Sequence, residues 1–248
     1  MLFNTRLLLS TAAAITLYTA AISSAHAVDR VKSPNVVKGE LEFEYMGVRT
    51  FDSDNSKDNE HEHEFEIEYG VTDRLSLEIG AEVEKEPGES LIGTGIEIGG
   101  QYQLFEQGEN WLDSGIALSY GHATHDGEPN EIKAKLLLEK QHDKLLHIAN
   151  FVLEQEVGNH AEGGPNRELL WSSRYLYSKY IEPGFEIQSS FGKTNENLSF
   201  NEQEHYAGPA IYGKLTPHIK YEAAIYAGLS DAATDAAARL FLEYEIYF

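Results

Sequence analysis

Carboxylates two residues apart dominate the first third of this sequence. Glu40, Glu42 and Glu44 alternate with Leu41, Phe43 and Tyr45, and Glu62, Glu64, Glu66 and Glu68 alternate with apolar Phe65, Ile67 and Tyr69. Glu78, Glu82 and Glu84 then stand opposite Leu75, Leu77, Ile79 and Val83, and Glu97 continues the series. A one-sided row of carboxylates can bind cations or set a field for charged solutes. It cannot be packed dry, because each unpaired buried charge costs several kcal/mol or more. Lys133, Lys135, Arg174, Lys220 and Arg239 share the same inward parity further along. The expectation is an acidic wall facing a basic wall across an enclosed space, which sets a transverse field there.

Histidines raise other chemistry. A His-Glu-His-Glu run at 61–64 could ligate a divalent metal. However, His61 and His63 fall on one face of a strand and the glutamates on the other, so one strand cannot bring all four to one ion. No metal site and no cofactor is expected. Ser119 and His122 invite comparison with the Ser–His pairs of outer-membrane lipid hydrolases. Their odd spacing puts them on opposite faces, and no Asn or acid beside them is placed to orient the histidine. Phosphate loops, nucleophile elbows and H-E-x-x-H are missing from the sequence. The expectation is a protein that is not an enzyme.

The elements carrying these residues are strands, since only a period of two sorts the glutamates onto one side. Twelve segments are predicted, near 36–50, 61–70, 74–86, 91–105, 111–123, 131–141, 145–157, 168–179, 184–193, 204–215, 218–228 and 236–248. Tight turns follow the even strands, and longer polar connections follow most odd ones. An even strand count with alternating short turns and long loops predicts an all-β fold, a single antiparallel transmembrane β-barrel. Both termini then fall on the periplasmic side. The outward face collects aromatics: Phe43, Tyr45, Phe65, Tyr69, Trp171, Tyr175, Tyr177, Phe185, Phe191, Tyr221, Tyr244 and Phe248. They suit lipid contact and interfacial girdles.

Both ends of the chain point to the same place. Residues 1–27 have one basic residue, an apolar run and Ala25-His26-Ala27, the pattern of a cleaved signal peptide, which leaves a barrel domain over 28–248. The last strand puts Leu240, Leu242, Tyr244, Ile246 and the final Phe248 on one face. This looks like the signature by which the β-barrel assembly machinery recognises its clients. Outer-membrane lipid and that machinery are the expected partners, and the bacterial outer membrane, reached through the periplasm, the expected location.

Composition narrows the function. With 19 Lys+Arg against 41 Asp+Glu the net charge is -22, which argues against binding nucleic acid. Zero cysteine excludes thiolate metal sites, disulfides and a cysteine nucleophile. Hydrophobic residues at 42% exclude a disordered acidic tail. The phrase EYGVTDRLSLEIG at 68–80 and the tail AGLSDAATDAAARLFLEYEIYF at 227–248 resemble small outer-membrane barrels of the transporter type, including the family named for the meta-cleavage pathway of phenol degradation. That resemblance implies a small-molecule channel and transfers no catalytic residue. The lumen is more acidic than a path for aromatic hydrocarbons would need. The expected function is passive, cation-preferring passage of small polar solutes. The alternatives are a lumen filled by structural salt bridges in a non-conducting barrel that binds a surface partner, or a rim lipid hydrolase.

Overall fold

The computed structural model describes residues 28–125 and 127–248, so the signal peptide expected over 1–27 lies outside them. Twelve strands follow in chain order: β1 Glu40–Phe51, β2 His61–Gly70, β3 Leu75–Lys85, β4 Ile92–Gln103, β5 Asp113–Ala123, β6 Asn130–His142, β7 Leu145–Val157, β8 Asn166–Tyr175, β9 Glu182–Lys193, β10 Glu204–Thr216, β11 Ile219–Gly228 and β12 Ala236–Tyr247. Each pairs antiparallel with its sequence neighbours, and β1 pairs with β12 to close a barrel. Closure removes the free edges an open sheet would expose and pairs the backbone groups that lipid cannot satisfy.

The alternation read from the sequence sorts as expected. Phe65, Leu77, Ile79, Ile98, Leu118 and Leu153 are exposed on the outside, a belt that suits hydrocarbon rather than water. Phe43, Tyr69, Tyr175, Phe185, Tyr244 and Phe248 are exposed there too. The connections that follow odd strands gather at one end and those that follow even strands at the other. In the first of these loops the backbone N–H and hydroxyl of Ser56 both donate to Asp54 and hold its carboxyl below the usual carboxylate range.

Most boundaries shift by a residue or two from the sequence reading, and three differences have a structural cause. β1 begins at Glu40 rather than 36, because Gly39 takes a left-handed turn (φ 79°) that carries the chain out of the wall. β8 stops at Tyr175, where the chain folds into a turn closed by the Ser178–Ile181 bridge. The β4–β5 connection runs over 104–112 and is longer than a tight turn.

Candidate functional site

The register of β1 poses an electrostatic problem. Glu42 stands opposite Glu245 and Glu68, and Glu44 opposite Glu243 and Glu66. Like charges facing one another across strands destabilise a sheet. The compensating cations come from an unpredicted source: residues 28–38 leave the wall and run up inside the lumen.

That segment is held by side chains acting as surrogate strand partners. Asn150 accepts from the Lys32 N–H at 2.7 Å and donates to its carbonyl at 2.8 Å. Gln188 does the same for Asp29, at 2.7 and 2.9 Å. Gln103 accepts from the Val36 N–H at 2.9 Å, and Gln101 donates to the Ser33 carbonyl at 3.0 Å. All four amides are buried. Without the segment Asn150 would lose both of these bonds and the carbonyl oxygens of Gln103 and Gln188 the N–H groups they accept from, which is costly in a dry interior.

The segment is itself patterned with a period of two. Arg30 and Lys32 face β1–β3, β11 and β12. Arg30 meets Glu44 at 2.8 Å, Glu243 at 3.0 Å and Glu222 at 3.5 Å. Lys32 meets Glu78 at 2.6 Å, Glu68 at 2.7 Å and Glu66 at 3.5 Å. Asp29, Val31 and Ser33 face the other way. Asp29 pairs with Lys135 at 2.7 Å, Val31 packs on Leu146, Ile148 and Leu170, and Ser33 donates to Glu139 at 2.7 Å. Val28, expected at the periplasmic mouth as the start of the mature chain, lies inside the lumen against Met46, Tyr226 and Phe241.

Two recesses remain on either side of this crossing. The outer one, about 800 Å³, is bounded by Glu64, Glu82, Glu97, Ser119, Lys133 and Lys135. The inner one, about 1180 Å³, opens toward the short turns between Glu40, Glu42, Gln141, Arg174 and Lys220. Arg30, Lys32 and Glu44 border both. Of the remaining acids singled out in the sequence, Glu66 and Glu78 reach the outer recess and Glu68 the inner. Glu84 pairs in register with Glu62 at the outer end of β3.

The basic residues do not all stand opposite the acids. Closure places β12 beside β1, so Lys220 on the neighbouring β11 reaches Glu42 at 3.5 Å. Lys220 contacts Glu243 at 2.6 Å and Glu245 at 2.5 Å. Arg239, only 2% exposed, points inward but is covered. It pairs with Glu186 at 2.7 Å and Glu222 at 3.4 Å and donates to the Asp29 carbonyl. Tyr212 and Tyr226 donate to the same Glu186, each at 2.5 Å. Lys133 meets Glu154 at 3.2 Å, and Arg174 has Glu182 at 3.7 Å. Missed among the inward acids were Glu139, Glu154, Glu186, Glu222, Glu243 and Glu245. Glu139, Glu222, Glu243 and Glu245 share strand parity with a residue already assigned inward, while Glu186 alternates with the outward Phe185 and Glu154 with the exposed Phe151 and Leu153, and that alternation is the signal that could have found them.

The other candidates stay apart. His61 and His63 stack on the outer face, with the Tyr45 hydroxyl 2.9 Å from His63 Nδ1. Among the described residues, the trios whose carboxylate oxygens come within 4.8 Å of one another are lumenal glutamates: Glu40/Glu42/Glu245, Glu42/Glu44/Glu243, Glu44/Glu66/Glu68 and Glu64/Glu66/Glu97. These could hold cations, and where they meet the segment Arg30 or Lys32 supplies the charge. Ser119 borders the outer recess while His122 is exposed outside, as parity requires. One reading is corrected: Asn130 Oδ1 lies 2.9 Å from His122 Nδ1, so an orienting partner exists.

With this geometry in hand, solved structures of similar shape can be set beside it. The COG4313 outer membrane channel from Pseudomonas putida F1 aligns with TM-score 0.66 at 11% identity, over 88% of this chain and 100% of that one. The fold is that of a porin-like outer-membrane barrel. KdgM porin aligns with TM-score 0.59 at 11% identity, over 83% of this chain and 99% of that one. NanC porin aligns with TM-score 0.56 at 7% identity, over 82% and 100%. No protein family and no curated protein matches this chain by sequence.

Proposed function

We propose that this chain is an outer-membrane channel for the passive, cation-preferring passage of small polar solutes, and that its own residues 28–38 control the path. The observation that carries this is the unbroken acidic column from Glu64 and Glu82 in the outer recess through Glu44 to Glu42 in the inner one. Its densest stretch is neutralised by two cations that belong to the segment rather than to the wall. A column of carboxylates joining two recesses attracts cations and repels anions. One KdgM porin structure contains disordered oligogalacturonate. That solute is a polyanion, and the wall described above disfavours one.

The pore-lining role extends to Glu42, Glu44, Glu64, Glu66, Glu68, Glu78, Glu82, Glu84 and Glu97, with Lys133, Lys135, Arg174 and Lys220 as counter-charges. A signal peptide over 1–27, delivery by the β-barrel assembly machinery through Leu240, Leu242, Tyr244, Ile246 and Phe248, and insertion in outer-membrane lipid complete the proposal. Kinship with the phenol-degradation meta-pathway family rests on residues 68–80 and 227–248 and concerns architecture, not substrate.

The test is single-channel recording of the refolded protein under a salt gradient. A reversal potential favouring cations, moved toward zero selectivity by Glu44→Gln, Glu66→Gln and Glu82→Gln together, is the expected result. Silence from folded, heat-modifiable barrels, in the intact protein and in a variant with Arg30 and Lys32 both replaced, would favour a filled, non-conducting barrel. The filled lumen at 28–38 is the observation on that side.

A further inference from the structure

Arg30 is held by more than opposite charge. Its guanidinium carbon lies 3.7 Å from the centroid of the Phe241 ring, so the planar cation rests against an aromatic ring. Around its edge Nη1 reaches Glu44, Nη2 reaches Glu243 and Nε reaches Glu222, from three different strands. An aromatic face with carboxylates around the rim recognises guanidinium, whose donors lie in one plane. Two residues further on, Lys32 Nζ sits among Glu66, Glu68 and Glu78, a compact site with no ring. That arrangement suits a primary ammonium, a point charge with three donors.

The two sites form one. Carboxylate oxygens of Glu44, Glu66 and Glu68 lie within 4.8 Å of one another and join the guanidinium end to the ammonium end. Positions two apart in an extended chain share a face and are separated by at most about 7 Å. Every group around the two cations belongs to the barrel wall, and both recesses reach it.

We infer that this stretch of wall is a binding site for short dications bearing a guanidinium at one end and a primary ammonium at the other, which compete with Arg30 and Lys32 and so displace the segment. The inference rests on the channel reading only for the route by which such a solute arrives. The site itself does not require conduction.

The experiment is calorimetric titration of the folded protein in detergent with agmatine, and with putrescine as the diamine that lacks a guanidinium. Arg30→Ala/Lys32→Ala vacates the site within the full chain. Agmatine is expected to bind this variant at least about tenfold more tightly than the unsubstituted protein. It should also exceed putrescine by about tenfold, the scale of one desolvated cation–π contact. Adding Phe241→Leu removes the preference over putrescine. If that variant does not give a heat-modifiable barrel, Glu44→Gln in the same background replaces it, and agmatine affinity should fall by about tenfold. Equal binding of the two amines, binding indifferent to Arg30 and Lys32, or affinity unchanged by Glu44→Gln would each overturn the site. Recordings separate the two proposals. Binding without conductance sinks the channel and keeps the site, whereas selective conductance without agmatine preference does the reverse.

Discussion

Lys32→Ala is the most informative single perturbation of the lumen. The Lys32 ammonium lies 2.6 Å from Glu78 and 2.7 Å from Glu68, with Glu66 at 3.5 Å. Removing one partner of a buried ion pair costs about 3–5 kcal/mol, because the other charge is left uncompensated. Here the cost falls mainly on the docked arrangement, since an undocked segment leaves the same glutamates open to water and counter-ions. At about 1.4 kcal/mol per factor of ten, docking weakens by about two to three and a half powers of ten. Solvent cations entering the vacated site soften this, so about a hundredfold is the working expectation. The assay is open probability in planar bilayers at low salt, with heat-modifiable mobility as the check on folding. Long openings at higher conductance are expected, and raising the salt should narrow the gap between variant and parent, because screening weakens the ion pairs that remain in the parent. Identical dwell times and conductance in the two proteins would refute the view that these contacts hold the path closed.

Further perturbations address separate parts of the molecule. Gly70→Ala changes no charge, yet a Cβ there would stand 2.0 Å from the Val37 carbonyl oxygen. It should push the root of the segment aside, raise open probability and leave cation selectivity intact; recordings like the parent's would count against control by residues 28–38. Tyr226→Phe removes a donor to Glu186 and an acceptor for Gln188. Thermal unfolding should show a loss of about 1–3 kcal/mol, the cost of leaving a buried polar group unsatisfied. Phe248→Ala keeps the backbone N–H bond to the Gly39 carbonyl at 2.9 Å and trims a side chain that is 83% exposed. Refolded stability should therefore hardly change while the amount assembled in cells falls severalfold. Unchanged assembly would refute a recognition role for the last residue.

Strand identity and facing were fixed locally, which is why the sequence alone determined them. A period of two over six or more residues, as in ELEFEY and HEHEFEIEYG, has one structural solution, and β2 and β7 occupy the very residues expected. The same parity placed Glu44, Glu82, Lys133 and Arg239 inward and separated Ser119 from His122. Tertiary structure decided what these groups meet. Closure of β12 on β1 set Lys220 within 3.5 Å of Glu42, a neighbourhood invisible along a chain where the two lie 178 residues apart. The path of residues 28–38 was equally hidden. Asp29, Arg30, Val31 and Lys32 alternate correctly, but four residues are too few to announce a strand, and no neighbouring strand exists to pair with them. Their partners are side chains on β1–β3, β6, β7, β9, β11 and β12, which converge only once the barrel has closed. Periodicity is a property of neighbours in sequence, whereas complementarity across a lumen is a property of the finished wall.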